Sequence, residues 1–291
     1  MTQSPAWADR FWTSVDGLKL HYRDYAGPHE RPPILCLPAL TRNAADYEAL
    51  AARFAGEWRV LSVDFRGRGL SDPDPAPAHY RPQTSVGDIL LQVAAPGNAD
   101  ALFVGTSLGG LVTMALAASD SERIAGALLN DIGPEIELAG LERIATWVGQ
   151  PAHFKTVAEA AARVAQRNAA VFPDYGGQEW LRFTRRLLRG DDDNGWDFAY
   201  DRAIARAFTA PADPAAFDGW AFLDALGGRP VTILRGELSD LLSADTARRM
   251  AERLDDCELV TVPRVGHAPT FDEPESLAAL ERLLERVLAA A

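Results

Sequence analysis

Cysteine is scarce in this chain of 291 residues: Cys36 and Cys257 are the only two. One lies inside an apolar run and the other just before another, so both read as reduced core side chains. A fold stapled by disulfides is excluded. No apolar run reaches the length of about 20 residues that a membrane-spanning helix needs. The first ten residues have no basic start followed by an apolar stretch, so no secretory signal is expected and a cytoplasmic location is. Basic charge is also in deficit. Lys and Arg number 29 against 41 Asp and Glu, a formal net charge of -12, which argues against nucleic acid or an anionic membrane as partner. Internal repeats and low-complexity tracts are missing too. What is present is an ordinary globular composition, 47% hydrophobic and 24% charged. At this length it can bury a large core, as one α/β domain or as a domain carrying an insert.

Residues 11–25 read as a β-hairpin with its turn at Asp16 and Gly17. Ile34–Leu37 and Val60–Val63 are short and continuously apolar, as strands covered on both faces are. Helical patterns over 44–56 and near 85–95 alternate with them, followed by strands at 101–106 and 124–130. This rhythm predicts a mostly parallel, doubly wound α/β sheet with helices on both faces. It stops after Asp131. From about 133 to 225 helix-like segments are broken by Pro151, Pro173, Gly176, Gly177, Gly195, Pro211 and Pro214, and no buried strand is evident. Four of the seven tryptophans (Trp147, Trp180, Trp196, Trp220) fall here, with several phenylalanines, Phe217 among them. We expect a helical cap over the sheet's C-terminal edge, its aromatics mostly forming its own core. Asp191–Asp193 reads as a solvated loop, and Arg182, Arg185, Arg186 and Arg189 as a solvated helix face. The α/β rhythm returns with a strand at 230–234, a helix at 243–254, a strand at 259–262 and a last amphipathic helix at 274–290. The expected division is 1–132 and 226–291 as the two parts of the core, with 133–225 as the cap.

The chemistry centres on Gly105-Thr106-Ser107-Leu108-Gly109, between an apolar strand and an apolar helix. A serine in a G-x-S-x-G turn of this kind is lifted above the sheet edge, and the glycines admit the close passage of strand and helix. A serine hydroxyl needs a base to take its proton. Of the five histidines, His267 alone follows a late buried strand in a loop that can reach the turn. The base in turn needs a carboxylate to fix its tautomer. Asp240, ending the strand and loop after the cap, is the assignment; Asp131, ending the preceding strand, is the alternative. Asp64 also ends a strand, but Arg66 and Arg68 offer it a structural pairing role. A tetrahedral intermediate needs two backbone N–H donors, one from Leu108 and one from the loop at 38–43.

Four segments carry a resemblance: G-T-S-L-G-G at 105–110, D-F-R-G-R-G-L-S-D at 64–72, R-G-E-L-S-D at 235–240 and V-G-H-A-P at 265–269. The chain resembles, nearly end to end, the α/β-hydrolase fold superfamily, in its serine-nucleophile branch with a helical cap. The resemblance implies a catalytic set of Ser107, Asp240 and His267. Its loop after the third strand usually reads His-Gly-x, which here is Pro38-Ala39-Leu40 and makes Leu40 the second oxyanion donor. Ser107 at the turn separates the chain from the haloalkane dehalogenases and epoxide hydrolases of this fold, which attack with aspartate. The activity implied is hydrolysis of a small carboxylic ester or lactone through an acyl-enzyme, with no cofactor and no metal. Carbon–carbon bond hydrolysis of a ring-cleavage product uses the same three residues, and a ligand receptor on a hydrolase scaffold is a third reading. The expected partner is a small-molecule ester or lactone. Trp147 and Trp220 are candidate pocket walls, and Arg42 is a candidate contact for a substrate carboxylate.

Overall fold

The computed structural model describes residues 6–93, 100–208 and 218–290. The opening hairpin pairs β1 (Ala8–Thr13) with β2 (Lys19–Tyr25). Then follow β3 (Ile34–Leu37), α1 (Glu48–Phe54), β4 (Val60–Asp64), α2 (Pro82–Val93), β5 (Ala101–Thr106), α3 (Leu108–Ser119) and β6 (Ile124–Asn130). The cap region contributes α4 (Leu138–Ala145), α5 (Val157–Asn168), α6 (Gly177–Arg185), β7 (Leu188–Asp191), β8 (Gly195–Phe198), α7 (Ile204–Phe208) and α8 (Gly219–Asp224). The chain closes with β9 (Val231–Gly236), α9 (Ala244–Arg253), β10 (Cys257–Val262) and α10 (Pro274–Ala290). Positions 94 and 95 of the second expected helix, and Pro211, Pro214 and Phe217 of the cap, lie outside the described residues.

Eight strands form one sheet in the order β1-β2-β4-β3-β5-β6-β9-β10. β2 runs antiparallel to both neighbours, and every pairing from β4 through to β10 is parallel. The fold is therefore that of an α/β hydrolase, as the apolar runs predict. β3 shows why those runs carry no polar residue. Ile34 and Cys36 enter the layer under α10, while Leu35 and Leu37 enter the layer under α2, α3 and α9, and all four are fully buried. A strand covered on both faces has nothing to alternate with. Both cysteines are free, and burial pushes the Cys36 thiol far up and the Cys257 thiol up to about 12. They behave as small apolar side chains.

Residues 133–225, expected as a helical cap, differ from that reading in two places. A hairpin of β7 and β8 interrupts the helices, both strands being short, β7 largely exposed and β8 half-buried. α8, inside the range read as cap, instead packs on α3 and sends Leu223 into the core layer. Phe172, Tyr175, Trp180 and Phe183 pack together, mostly edge to face, and Trp180 is buried among them; they do not form a separate core as expected but join the layer that holds Ile34, Cys36 and Phe271. A second contact layer joins Ile144, Val148 and Ile204 of the cap to Ile132 and Leu241 of the core. Among the described residues no helix is long and apolar enough to cross a membrane.

Candidate active site

β5 and α3 meet at Ser107, whose backbone has φ 52° and ψ -113°. That is a left-handed conformation that a side-chain-bearing residue adopts at a cost of about 1–3 kcal/mol. The close packing behind it is explicit. A Cβ on Gly109 would lie 2.0 Å from the carbonyl oxygen of Leu37, and one on Gly105 2.6 Å from the backbone of Gly109. The Ser107 N–H donates to the carbonyl of Asn130 at 3.0 Å, tying the turn to the end of β6. The strain is held by neighbouring strands on both sides.

His267, in the loop after β10, lies with Nε2 2.9 Å from Ser107 Oγ. Its Nδ1 lies 2.8 Å from Asp131 Oδ2. The carboxylate on the histidine is thus Asp131, at the end of β6, and the assignment to Asp240 is corrected. Asp131 is fully buried, with φ 56°. Burying an anion is costly unless its lone pairs are filled, and here they are. Gly236 N–H donates to Oδ1 at 2.9 Å and Ser239 Oγ to Oδ2 at 2.7 Å, beside the imidazole. Asp240 faces the cap instead. It takes both hydrogen bonds of Arg143 from α4, at 2.5 and 2.8 Å, and that guanidinium holds its carboxyl below the ordinary value.

Leu108 opens α3, and a first-turn N–H has no acceptor within its own helix. It is thus available beside Ser107. In the loop after β3 the Ala39 carbonyl accepts from Arg42 N–H at 3.1 Å. The N–H of Leu40, antiparallel to that carbonyl in a trans peptide, is turned out of the tight turn, and Ala39 and Leu40 line the cavity that Ser107 lines. The loop is fixed from below. Arg68 Nε donates to the Leu40 carbonyl at 2.8 Å, and Tyr47 Oη to the Leu37 carbonyl at 2.6 Å. Arg68 is buried, no carboxylate bonds it among the described residues, and burial pulls its pKa down to about 10. The R-G-R segment therefore serves the site through its second arginine, a role its sequence does not announce. Asp64 departs from the expected pairing with Arg66 and Arg68. It accepts from Ala44 N–H (2.6 Å) and Leu70 N–H (2.9 Å), and lies 2.7 Å from His21 Nδ1.

The cavity over Ser107 runs between sheet edge and cap, with Ile144, Trp147, Val164, Phe172, Phe183 and Phe198 among its walls. Trp147 is one of these lining residues. Trp220 is not: its indole N–H donates to Glu135 and its ring lies under Arg249 and Arg253, on the outer side of α8. Arg42 lines the cavity, but Asp46 takes two of its N–H groups, at 2.5 and 2.6 Å, and Phe183 stacks on its guanidinium. Arg186, read as solvated, is almost covered and bonds Asp272. Sequence reasoning missed Arg167 and Asn168, which line the cavity from the cap. Their signal was an i, i+3, i+4 face with Val164 on α5. Among the described residues, Asp16, Asp74 and His79 come within ligand distance of one another. Arg66 Nη1 already donates to both carboxylates there, which supplies the positive charge a metal would bring.

A parallel sheet, a strained serine at a strand-to-helix turn, and a histidine and aspartate in hydrogen-bonded series beside it define a hydrolase-type α/β site. The chain belongs to the alpha/beta hydrolase family, whose model matches residues 34–280. It is a hydrolase of that family. A protein of Cupriavidus necator named 3-hydroxybutyrate-oligomer hydrolase is 32% identical, the match covering 89% of this chain and 90% of that protein. The 2-(acetamidomethylene)succinate hydrolase of Mesorhizobium japonicum is 26% identical, covering 87% and 88%. The crystal structure of an alpha/beta hydrolase from Novosphingobium aromaticivorans superposes with a TM-score of 0.92 at 50% identity, covering 97% of this chain and 99% of that one.

Proposed function

We propose that this chain is a serine hydrolase that cleaves small carboxylic esters or lactones through an acyl-enzyme. The observation that carries the reading is the unbroken series Ser107 Oγ, His267, Asp131, at 2.9 and 2.8 Å. In this scheme His267 takes the serine proton as Oγ attacks the carbonyl carbon, and the N–H groups of Leu108 and Leu40 receive the developing oxyanion. The tetrahedral adduct then collapses. His267 hands its proton to the leaving alkoxide oxygen, and the C–O bond to that oxygen breaks. A water, deprotonated by the same imidazole, attacks the acyl carbon; the bond from that carbon to Ser107 Oγ breaks, His267 returns the proton to Oγ, and the acid is freed. Asp131 keeps Nδ1 protonated and steadies the imidazolium. The apolar walls suit a short acyl chain or ring. The relative named as a 3-hydroxybutyrate-oligomer hydrolase supports an ester substrate and makes short hydroxy-acid oligoesters the first to try.

A fluorophosphonate probe with peptide mapping, run beside a panel of 4-nitrophenyl esters and 3-hydroxybutyrate dimers and trimers, tests this. The expected result is labelling at Ser107, turnover of short esters, loss of both in Ser107→Ala, and no cleavage of a dienoate ketone. Failure to label Ser107 contradicts the acyl-enzyme. Labelling without turnover favours a receptor, and cleavage of the ketone favours carbon–carbon hydrolysis.

A further inference from the structure

Three guanidinium groups line the cavity over Ser107: Arg42, Arg143 and Arg167. Two are already neutralised. Asp46 holds Arg42 and Asp240 holds Arg143, each by a pair of hydrogen bonds from one carboxylate. Arg167 is different. It is half-buried on the cap face that α5 turns to the cavity, beside Val164 and Asn168. No carboxylate pairs with it among the described residues. The charged neighbour it does have is Arg163, which adds positive potential, and burial together with that neighbour pulls its pKa down. Asn168 beside it is uncharged and cannot neutralise it, and its side-chain NH₂ donates to the Val164 carbonyl at 2.9 Å.

Partial burial leaves the Arg167 charge incompletely hydrated at an apolar wall, a moderate cost that a paired anion offsets. In a chain whose net charge is -12, carboxylates to neutralise it are plentiful. The partner that removes the cost is one that arrives with the substrate. A guanidinium fork matches a carboxylate with two parallel N–H donors, and the surrounding apolar side chains strengthen the attraction by lowering the local dielectric.

We infer that Arg167 selects the substrate by binding a free carboxylate carried on the ester itself. The preferred substrate class is then an ester with a second, ionised acid group, such as a monoester of a dicarboxylic acid or an acid-terminated oligoester. The inference rests on the ester-hydrolase reading above and adds the charge of the substrate to it.

Two substrate pairs separate the sides on which that group can sit. Mono-(4-nitrophenyl) glutarate and 4-nitrophenyl valerate differ by a terminal carboxylate on the acyl side. 3-Acetoxybutyrate and its methyl ester differ by one on the leaving side. The readout is the ratio of kcat/KM, charged over neutral, within each pair. In the wild type one pair favours the charged member. Arg167→Gln lowers that ratio by about 10- to 100-fold, as loss of a hydrogen bond to a charged group does, mainly through KM. Arg167→Lys restores part of it. Ratios that are the same in wild type and Arg167→Gln for both pairs overturn the inference.

A binding experiment keeps this separate from the catalytic reading. In calorimetry, Ser107→Ala protein binds monomethyl glutarate or 3-acetoxybutyrate, and the Ser107→Ala, Arg167→Gln double variant loses that binding. Equal binding by the two proteins, or no binding of either anion by Ser107→Ala, overturns the role of Arg167. A wild type that turns over no ester contradicts the hydrolase reading alone, and calorimetry still decides the arginine.

Discussion

Ser107 and Asp131 both have positive φ without being glycine, at 52° and 56°. Each is pinned through its own N–H to the next strand across: Ser107 to Asn130 at the end of β6, and Asp131 to Leu234 in β9. Strain at Ser107 and Asp131 survives because neighbouring strands over-determine it. The G-x-S-x-G turn at Ser107 was legible in the sequence because its constraint is local: three glycines, a strand and a helix within a few residues. The acid was not. Asp131 and Asp240 each follow a parallel strand, and β6 and β9 are neighbours in the sheet, so chain order places both near the histidine. What separates them is Ser239 and Gly236 turning toward one carboxylate and Arg143, 97 positions away, claiming the other. No periodicity records such a pairing. A prediction belongs at this scale. Gly109→Ala places a Cβ against the Leu37 carbonyl, at the foot of the loop that holds Leu40. It should destabilise by about 1–3 kcal/mol, as overpacking does, and lower esterase activity. Thermal melting and ester turnover check both, and a fully stable, fully active variant contradicts the packing account.

At the scale of elements, Arg66 joins three pieces of chain. Its guanidinium bonds Asp16 in the β1–β2 turn, Asp74 in the loop after β4, and Asp88 on α2. Arg66, Asp74 and Asp88 are all buried. Removing one member of such a set leaves buried charge uncompensated, at a cost of about 3–5 kcal/mol. The pH dependence has a definite sign. The hydrogen bonds from Arg66 and Ser14 lower the Asp16 carboxyl from its ordinary 3.8 to about 2. A carboxylate lowered in the folded state stabilises above its unfolded value and loses that contribution as pH falls toward the folded one. Asp88 runs the other way, since burial raises its carboxyl against the pull of Arg66. Arg66→Gln should therefore destabilise strongly at pH 7 and much less near pH 3, where the freed carboxylates are protonated. Urea unfolding at both pH values measures it, and a loss independent of pH contradicts the electrostatic account. The sequence shows where the α/β rhythm stops, and it does not show the β7–β8 hairpin for a related reason. β7 and β8 bury too little to show alternation, and their turn is built by Asp191 accepting from the N–H groups of Asp193 and Asn194, which in sequence reads simply as a polar loop.

At the scale of the whole molecule, the sheet was read well because its signal is redundant. Strands buried on both faces are apolar throughout, and helices between them repeat the message. Arrangements across the sheet edge carry no such redundancy. The groups proposed to react come from the ends of β5 and β6 and the loop after β10, and Arg143 and Arg167 line the same cavity from the segment between β6 and β9. The central claim is that the molecule converges Ser107, His267 and Asp131, leaving Asp240 to tether α4. Measuring kcat for Asp131→Asn and Asp240→Asn side by side, on whichever ester the panel selects, tests it most directly. The account predicts a fall of about 10⁴ for Asp131→Asn, the size of loss when an orienting aspartate is removed, and a change within about 10-fold for Asp240→Asn, whose hydrogen bonds go to Arg143. A collapse of activity in Asp240→Asn with Asp131→Asn close to wild type would contradict it.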